Sequence, residues 1–540
     1  MSALDTTGTA GNRIQKLRWW TLAVLSLTMV IAAVDETILN VAIPSLQRDL
    51  DASSSALQWM VNSYMLVFGG ALLTMGALGD RFGRAKLLRI GLATFGLASV
   101  GGALSENANQ LIVARAIMGL GGAMMMPATL SIIVNVFKEA EKAKAIAIWA
   151  AMAGAGVALG PILGGVLLQN FYWGSVFLVN VPIVVIAITA SLFLVPDSRD
   201  PDSRPIDIPG ALLSVGAVSA LILSIIEGPQ WGLTSVELAI SVAATLVLGA
   251  GFVIRERSTE YPLVDFSMFR IPQISTGFAA IGLAFFAMVG FIFGLTQYLQ
   301  FVQGNDPLSA GIRFLPAAIG VVFGAIASEE LAKRFGTRNV VLGGLALLTG
   351  ALPVVLLWEV DSSFWLIGPV MVAIGVGVGT VFAAAAESVM GAVTEAKAGV
   401  ASAMNDVSQM LAGALSIAVV GSTMFAIYGS RLGDAVVSLP QGLADLARDS
   451  IGAAIEVAAS LPPVEGLALE TAAKSAFTDA LGLSVVLGAG LSFIGMLLLA
   501  KFMPAGAVAG DGGHGAGDPV EVSESLDSAS ESTGVAVAGD

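Results

Sequence analysis

Fourteen apolar runs follow one another along this chain, each about as long as a helix that crosses a bilayer. They cover residues 18–43, 57–78, 87–104, 110–135, 144–168, 175–196, 208–226, 236–254, 273–299, 310–331, 339–358, 364–387, 399–427 and 477–501. A crossing helix needs roughly 20 apolar residues, and 540 residues that are 56% hydrophobic and 12% charged supply them all. The expectation is an all-α polytopic membrane protein of 14 transmembrane helices.

The basic residues set its orientation. With a cytoplasmic N-terminus, 20 of the 26 lysines and arginines fall in inner segments, among them Arg81, Arg84, Lys86, Arg89, Lys333, Arg334 and Arg338. Five fall in outer loops, and Arg115 lies inside a helix. This bias places both termini in the cytoplasm, because an odd number of crossings would scramble it. Residues 1–17 are a polar cytoplasmic segment with no short apolar core and cleavage site, so they do not read as a signal peptide. Residues 428–476 read as a long external loop with apolar residues at partly helical spacing. It is either a short hairpin over the outer mouth or a loose tether. Residues 504–540, rich in Gly, Ser, Asp and Glu, read as a disordered acidic cytoplasmic tail.

Missing residue types narrow the chemistry. There are no cysteines, and the only histidine, His514, lies in the tail. Thiol chemistry and a histidine base within the membrane are therefore excluded, which argues against a membrane enzyme or a metal site. The chain has no Gly-Lys dipeptide and hence no P-loop for an ATP-driven pump. Its net charge of −14 sits largely in the long loop and the tail, and nothing in it suggests nucleic-acid binding. The partners expected are the bilayer, protons and small solutes, with no cofactor, for a protein acting as a monomer.

Charges inside the apolar runs are the strongest functional signal, since each costs about 3 kcal/mol on insertion scales. Asp35 lies in Ala-Val-Asp-Glu-Thr-Ile-Leu-Asn-Val-Ala-Ile-Pro, residues 33–44. At about 1.5 Å per residue it is roughly 25 Å along the first helix, in its outer half. Arg115, early in the inward-running fourth helix, is at a similar level, so the two can meet. Glu329, Glu330, Glu387 and Asp406 fall toward the cytoplasmic side; for all four, solvation at a helix end is the competing reading. Glu36 points about 100° away from Asp35. A carboxylate that holds either a proton or a lipophilic cation enforces exchange by competition. Aromatic residues including Trp59, Tyr64, Phe286 and Tyr298 are available beside such a site, or as ordinary packing.

Two motifs repeat. Leu78-Gly-Asp-Arg-Phe-Gly-Arg84, after the second run, is echoed by Leu331-Ala-Lys-Arg-Phe-Gly-Thr337 after the tenth. Parallel repeats of this kind build two-bundle transporters. The stretch Gly76 to Lys86 resembles the cytoplasmic loop signature of the major facilitator superfamily. That resemblance implies a major facilitator fold: two six-helix bundles, 18–196 and 273–501, plus two additional central helices within 208–254. It also implies a latch in which Asp80, Arg81 and Arg84 favour the outward-open state.

Arg115 to Gly122 resembles the helix-four motif of the antiporter branch, where the arginine assists proton transfer. Gly156-Val-Ala-Leu-Gly160-Pro161-Ile-Leu-Gly164-Gly165 resembles its helix-five motif. Small residues there let another helix approach closely, and Pro161 weakens the backbone ladder. The Asp35 segment and Trp173 to Pro182 resemble the fourteen-helix drug:H+ antiporter family, which includes quaternary ammonium compound and multidrug exporters. Position 62 departs, being Asn where some of these exporters carry an acid. The resemblance implies proton-coupled efflux of lipophilic, cationic compounds (biocides, dyes, antibiotics) across the cytoplasmic membrane. Asp35 and Arg115 would then couple protons, and Asp35, Asp406, Glu387 and Glu330 would meet the substrate. The alternative is a secondary exporter of a self-made antibiotic or endogenous metabolite; a channel-like or sensory membrane protein is a different class.

Overall fold

The computed structural model describes residues 9–198, 207–232, 234–259, 262, 268–393 and 398–504. Each of the fourteen apolar runs lies on a helix, and no strand occurs among the described residues. The first helices are α1 (Thr9–Asp49), α2 (Ser54–Phe82), α3 (Arg84–Ala103), α4 (Ala108–Val136), α5 (Glu139–Asn170) and α6 (Ser175–Leu194). Next come α7 (Ile208–Trp231) and α8 (Val236–Ser258). Then follow α9 (Pro272–Val302), α10 (Pro307–Phe335), α11 (Thr337–Leu357), α12 (Phe364–Gly391) and α13 (398–431). Two short helices, α14 (Gln441–Asp449) and α15 (Ile451–Ser460), precede α16 (Pro463–Phe502). By length and apolarity eleven of these are fit to cross a membrane, and α2, bent by 51° after Leu72, makes twelve. Outside that set, α3 begins with Arg84, Lys86 and Arg89.

Local chemistry explains the ends. Ser53, Asn107 and Ser235 each accept a bond from a backbone N–H in the first turn of α2, α4 and α8, satisfying donors that have no partner within the helix. Between α2 and α3 stands a single residue, Gly83, at φ +115°, and between α10 and α11 stands Gly336 at φ +80°. Only glycine adopts such angles freely. The repeated Arg-Phe-Gly therefore carries a repeated backbone turn.

Helix α1 packs on α5 and α6, α2 on α4, and α3 on α4 and α6. In the other half α9 packs on α12, α13 and α16, and both α10 and α11 pack on α12. The halves meet along α1 with α9, α2 with α13, and α5 with α10, while α8 pairs with α7 and α7 leans on α2. Two π turns, Tyr298–Val302 in α9 and Ile417–Gly421 in α13, lie where polar bonds join the halves. Gln300 Nε2 donates to the carbonyl of Val41 at 2.8 Å, and Ser422 Oγ lies 3.2 Å from Gln58 Oε1.

Residues 428–476 are not an unstructured connection. They hold the end of α13, the α14–α15 hairpin and the first turns of α16, which begins well before residue 477. The reason is packing: Leu469, Ala473 and Ala476 of that extension are buried, and α15 lies against α16. The expected tail lies outside the described residues from position 505 onward, as do residues 1–8 of the N-terminal segment.

Candidate functional site

Asp35 does not sit at a wet helix end, because α1 continues as helix to Asp49. Its side chain is enclosed by four other helices. Arg115 Nη1 of α4 meets Oδ2 at 2.5 Å, and Asn180 Nδ2 of α6 donates to Oδ1 at 2.9 Å. Arg115 Nε donates to the carbonyl of Met60 in α2 at 3.2 Å, and its guanidinium lies 4.5 Å from the centre of the Tyr64 ring. Asn180 Nδ2 also reaches Ser99 Oγ of α3 at 3.4 Å. Asp35 and Asn180 are fully buried and Arg115 is 1% exposed. An ion pair taken this far from water persists only when its remaining hydrogen-bonding capacity is filled, and losing one partner costs about 3–5 kcal/mol.

Asn180 had no role assigned from the sequence, although it stands in the Trp173–Pro182 stretch. The signal was there: an amide within an otherwise apolar helix. Its second polar atom, Oδ1, is buried with no partner among the described residues.

The other acids occupy different surroundings. Glu36, one residue on, is only half-buried, as is Asp406 of α13. These two lie within electrostatic reach of each other from opposite halves, and Asn405 hydrogen-bonds Asp406. Glu330 and Glu387 are not brought to them. Glu330 is 60% exposed and pairs with Arg334 at 2.8 Å, one turn along its own helix. Glu329 is 71% exposed and pairs with Lys333 at 2.6 Å, and Glu387 is exposed at the end of α12. Glu330 is thus paired with a base of its own helix and Glu387 stands exposed, both apart from Glu36 and Asp406. Enclosure likewise leaves Asp35 with both oxygens engaged and no open face for a substrate.

The glycine motif of α5 faces two helices at once. A Cβ at Gly156 would lie 2.8 Å from Ala33 Cβ, and one at Gly164 2.8 Å from Ile38 Cγ1. At Gly160 it would strike Thr37 Oγ1. Gly165 turns the other way, where a Cβ would come within 2.5 Å of Leu308 Cα in α10. There Gly311 lies against the carbonyl of Pro161. In the α2–α3 loop the Asp80 carboxylate meets the Arg84 guanidinium at 2.7 Å. The Arg84 N–H donates to the carbonyl of Ser198 at 3.0 Å. Arg81 is exposed beside the Phe82 ring.

A family model described as Major Facilitator Superfamily matches residues 25–417. The multidrug efflux pump LfrA of Mycolicibacterium smegmatis is 36% identical over 476 residues, covering 87% of this chain and 93% of that protein. The methyl viologen resistance protein SmvA of Salmonella typhimurium is 34% identical, with 85% and 93% covered. The tetracenomycin C resistance and export protein of Streptomyces glaucescens is 31% identical, with 88% and 90% covered. Among solved structures, a bacterial homologue of the human lysosomal transporter Spinster, inward-facing and unoccupied, is similar with TM-score 0.63 at 18% identity. That similarity covers 90% of this chain and 98% of that one, and it speaks for the fold.

Proposed function

This chain belongs to the Major Facilitator Superfamily, a family of membrane transporters rather than enzymes, and we propose that it is a proton-coupled exporter of lipophilic cations. In this reading fourteen helices cross the cytoplasmic membrane as two six-helix bundles with α7 and α8 between them, and both termini are cytoplasmic. The observation that carries it is the sealed Asp35–Arg115–Asn180 cluster. Nothing in apolar packing requires a buried ion pair there, and such a pair is costly unless it is used.

The cluster suits proton exchange. A proton on Asp35 removes the charge that holds Arg115, which frees four helices to rearrange around an unpaired guanidinium. Glu36 and Asp406, half-buried on facing halves, are placed to attract a cation between them. Proton and drug would then act on neighbouring positions of α1, and the motion of that helix would link them. The α2–α3 loop, with Asp80 held to Arg84, would bias the inner closure, and the α5 glycines would let α1 and α10 slide against it. Three relatives bear names for efflux or resistance to multiple drugs, methyl viologen and tetracenomycin C, which supports drug export over metabolite traffic. The Streptomyces relative also supports the second reading, export of a self-made antibiotic.

Purified protein in liposomes separates the classes. With an imposed pH gradient, a cationic dye should accumulate against its own gradient, which a channel cannot produce. Asp406→Asn should weaken apparent affinity for some cations more than others while leaving gradient-driven transport of the rest. Loss of proton uptake with cation binding intact would instead assign Asp406 to the proton path.

A further inference from the structure

The α14–α15 hairpin belongs covalently to the second half, between α13 and α16, yet it is fastened to the first. The Ser54 N–H, the first of α2, donates to Asp449 Oδ2 at 3.1 Å. Ser54 Oγ donates to the Asp449 carbonyl. Ser54 and Ser450 are buried, and Gly452 lies against the buried side chain of Gln47 in α1 and against Phe301 in α9. The hairpin therefore covers the tips of α1, α2 and α9, the helices that must part if this end of the protein is to open.

Among the described residues no base pairs with Asp449. Arg448, its neighbour in the chain, leans to Asp445 at 3.7 Å. From α13, Tyr428 faces it, with the hydroxyl donating to the carbonyl of Ala447. Around the tip of α1, Arg48, Asp49 and Asp51 face Glu456 of α15. On α16, Lys474 pairs with Glu470 at 2.6 Å. Asp449 is also the last residue of α14, where the helix dipole opposes negative charge, while the N-terminus of α2 at Ser54 favours it.

We propose that Asp449 is a proton-binding site of the outer gate: its neutral carboxyl docks the hairpin on α2, and its ionised form lets the hairpin lift. Burial in the docked hairpin raises this carboxyl above the ordinary range, the bonds from Ser54 only partly opposing it. A lifted hairpin returns it to water and to its ordinary value. Docking is thus complete below the ordinary carboxylate range and is lost as pH rises through the raised value. If this end faces outward, as the orientation proposed above requires, a carrier that has discharged its cation into an acidic exterior closes more readily. The proton comes from the outer medium and returns to it, so it sets the gate and is not itself carried.

The chain has no cysteine, so spin labels enter cleanly at Leu104→Cys, beyond α3, and Leu446→Cys on the hairpin; both positions are exposed. Pulsed electron resonance on the full chain in nanodiscs should give one short distance at about pH 3.5, below the ordinary carboxylate range. A longer population should grow toward about pH 8, by up to tenfold for each unit by which docking raises the carboxyl. Asp449→Asn, an amide that mimics the neutral acid, should stay short throughout, and Glu456→Gln should keep the wild-type response. Distances that ignore pH, or that lengthen on acidification, overturn the proposal. So does an Asp449→Asn variant that still responds, or a Glu456→Gln variant that does not. If Asp449→Asn does not fold, the wild type and Glu456→Gln decide alone. The readout is a distance, so its failure is distinct from failure of drug–proton exchange.

Discussion

At the scale of residues, the protein buries one pair of charges, Asp35 and Arg115, and keeps it apart from the others. Asp35→Asn leaves Arg115 buried without a counter-charge, so the single variant should lose about 3–5 kcal/mol and melt earlier in detergent. Asp35→Asn with Arg115→Met removes both charges and should regain most of that stability, yet neither variant should drive efflux from a pH gradient. A double variant that still couples would move the exchange to Glu36 and Asp406. Asn180→Leu deletes the second donor to Asp35 and should cost about 1–3 kcal/mol. It should also shift the pH profile of transport, whereas a merely structural asparagine would change stability alone. Asp35 and Arg115 were legible as lone charges in apolar runs. Asn180 was visible as an amide in an apolar stretch, but its role was not, because its partner lies 145 positions away.

At the scale of helices, glycine spacing decides which faces can touch. The α5 face of Gly156, Gly160 and Gly164 lies on α1 with backbone nearly on backbone, the geometry small residues permit in lipid. Gly160→Leu should therefore lower the melting temperature markedly and reduce transport, because its side chain has nowhere to go against Thr37. Gly101→Leu is the control: a Cβ there meets nothing within 4 Å, and it should melt as the wild type does. Equal melting of the two variants would show that the α1–α5 contact contributes little. The motif's small face was visible in the sequence. That Gly165 and Pro161 turn to α10 in the other half was not, since spacing along one helix does not name the helix that fills the groove.

At the scale of the molecule, topology is the first quantity to measure. Accessibility tags after residue 504 and within α14 should report opposite sides of the membrane, the first cytoplasmic and the second external. Finding both on one side would refute fourteen crossings in this orientation. The class of the protein, the helical state of its apolar runs and the repeated Arg-Phe-Gly turns were determined by the sequence. Each rests on local physics: apolar length against bilayer thickness, and the positive φ that glycine alone takes freely. Tertiary structure decided the rest. It sealed Asp35 beneath Arg115 and Asn180, paired Glu330 with Arg334 of its own helix, left Glu387 exposed, and folded residues 441–460 back onto the start of α2. Those outcomes depend on which faces meet across hundreds of residues, and the burial that results is what sets each carboxylate's surroundings.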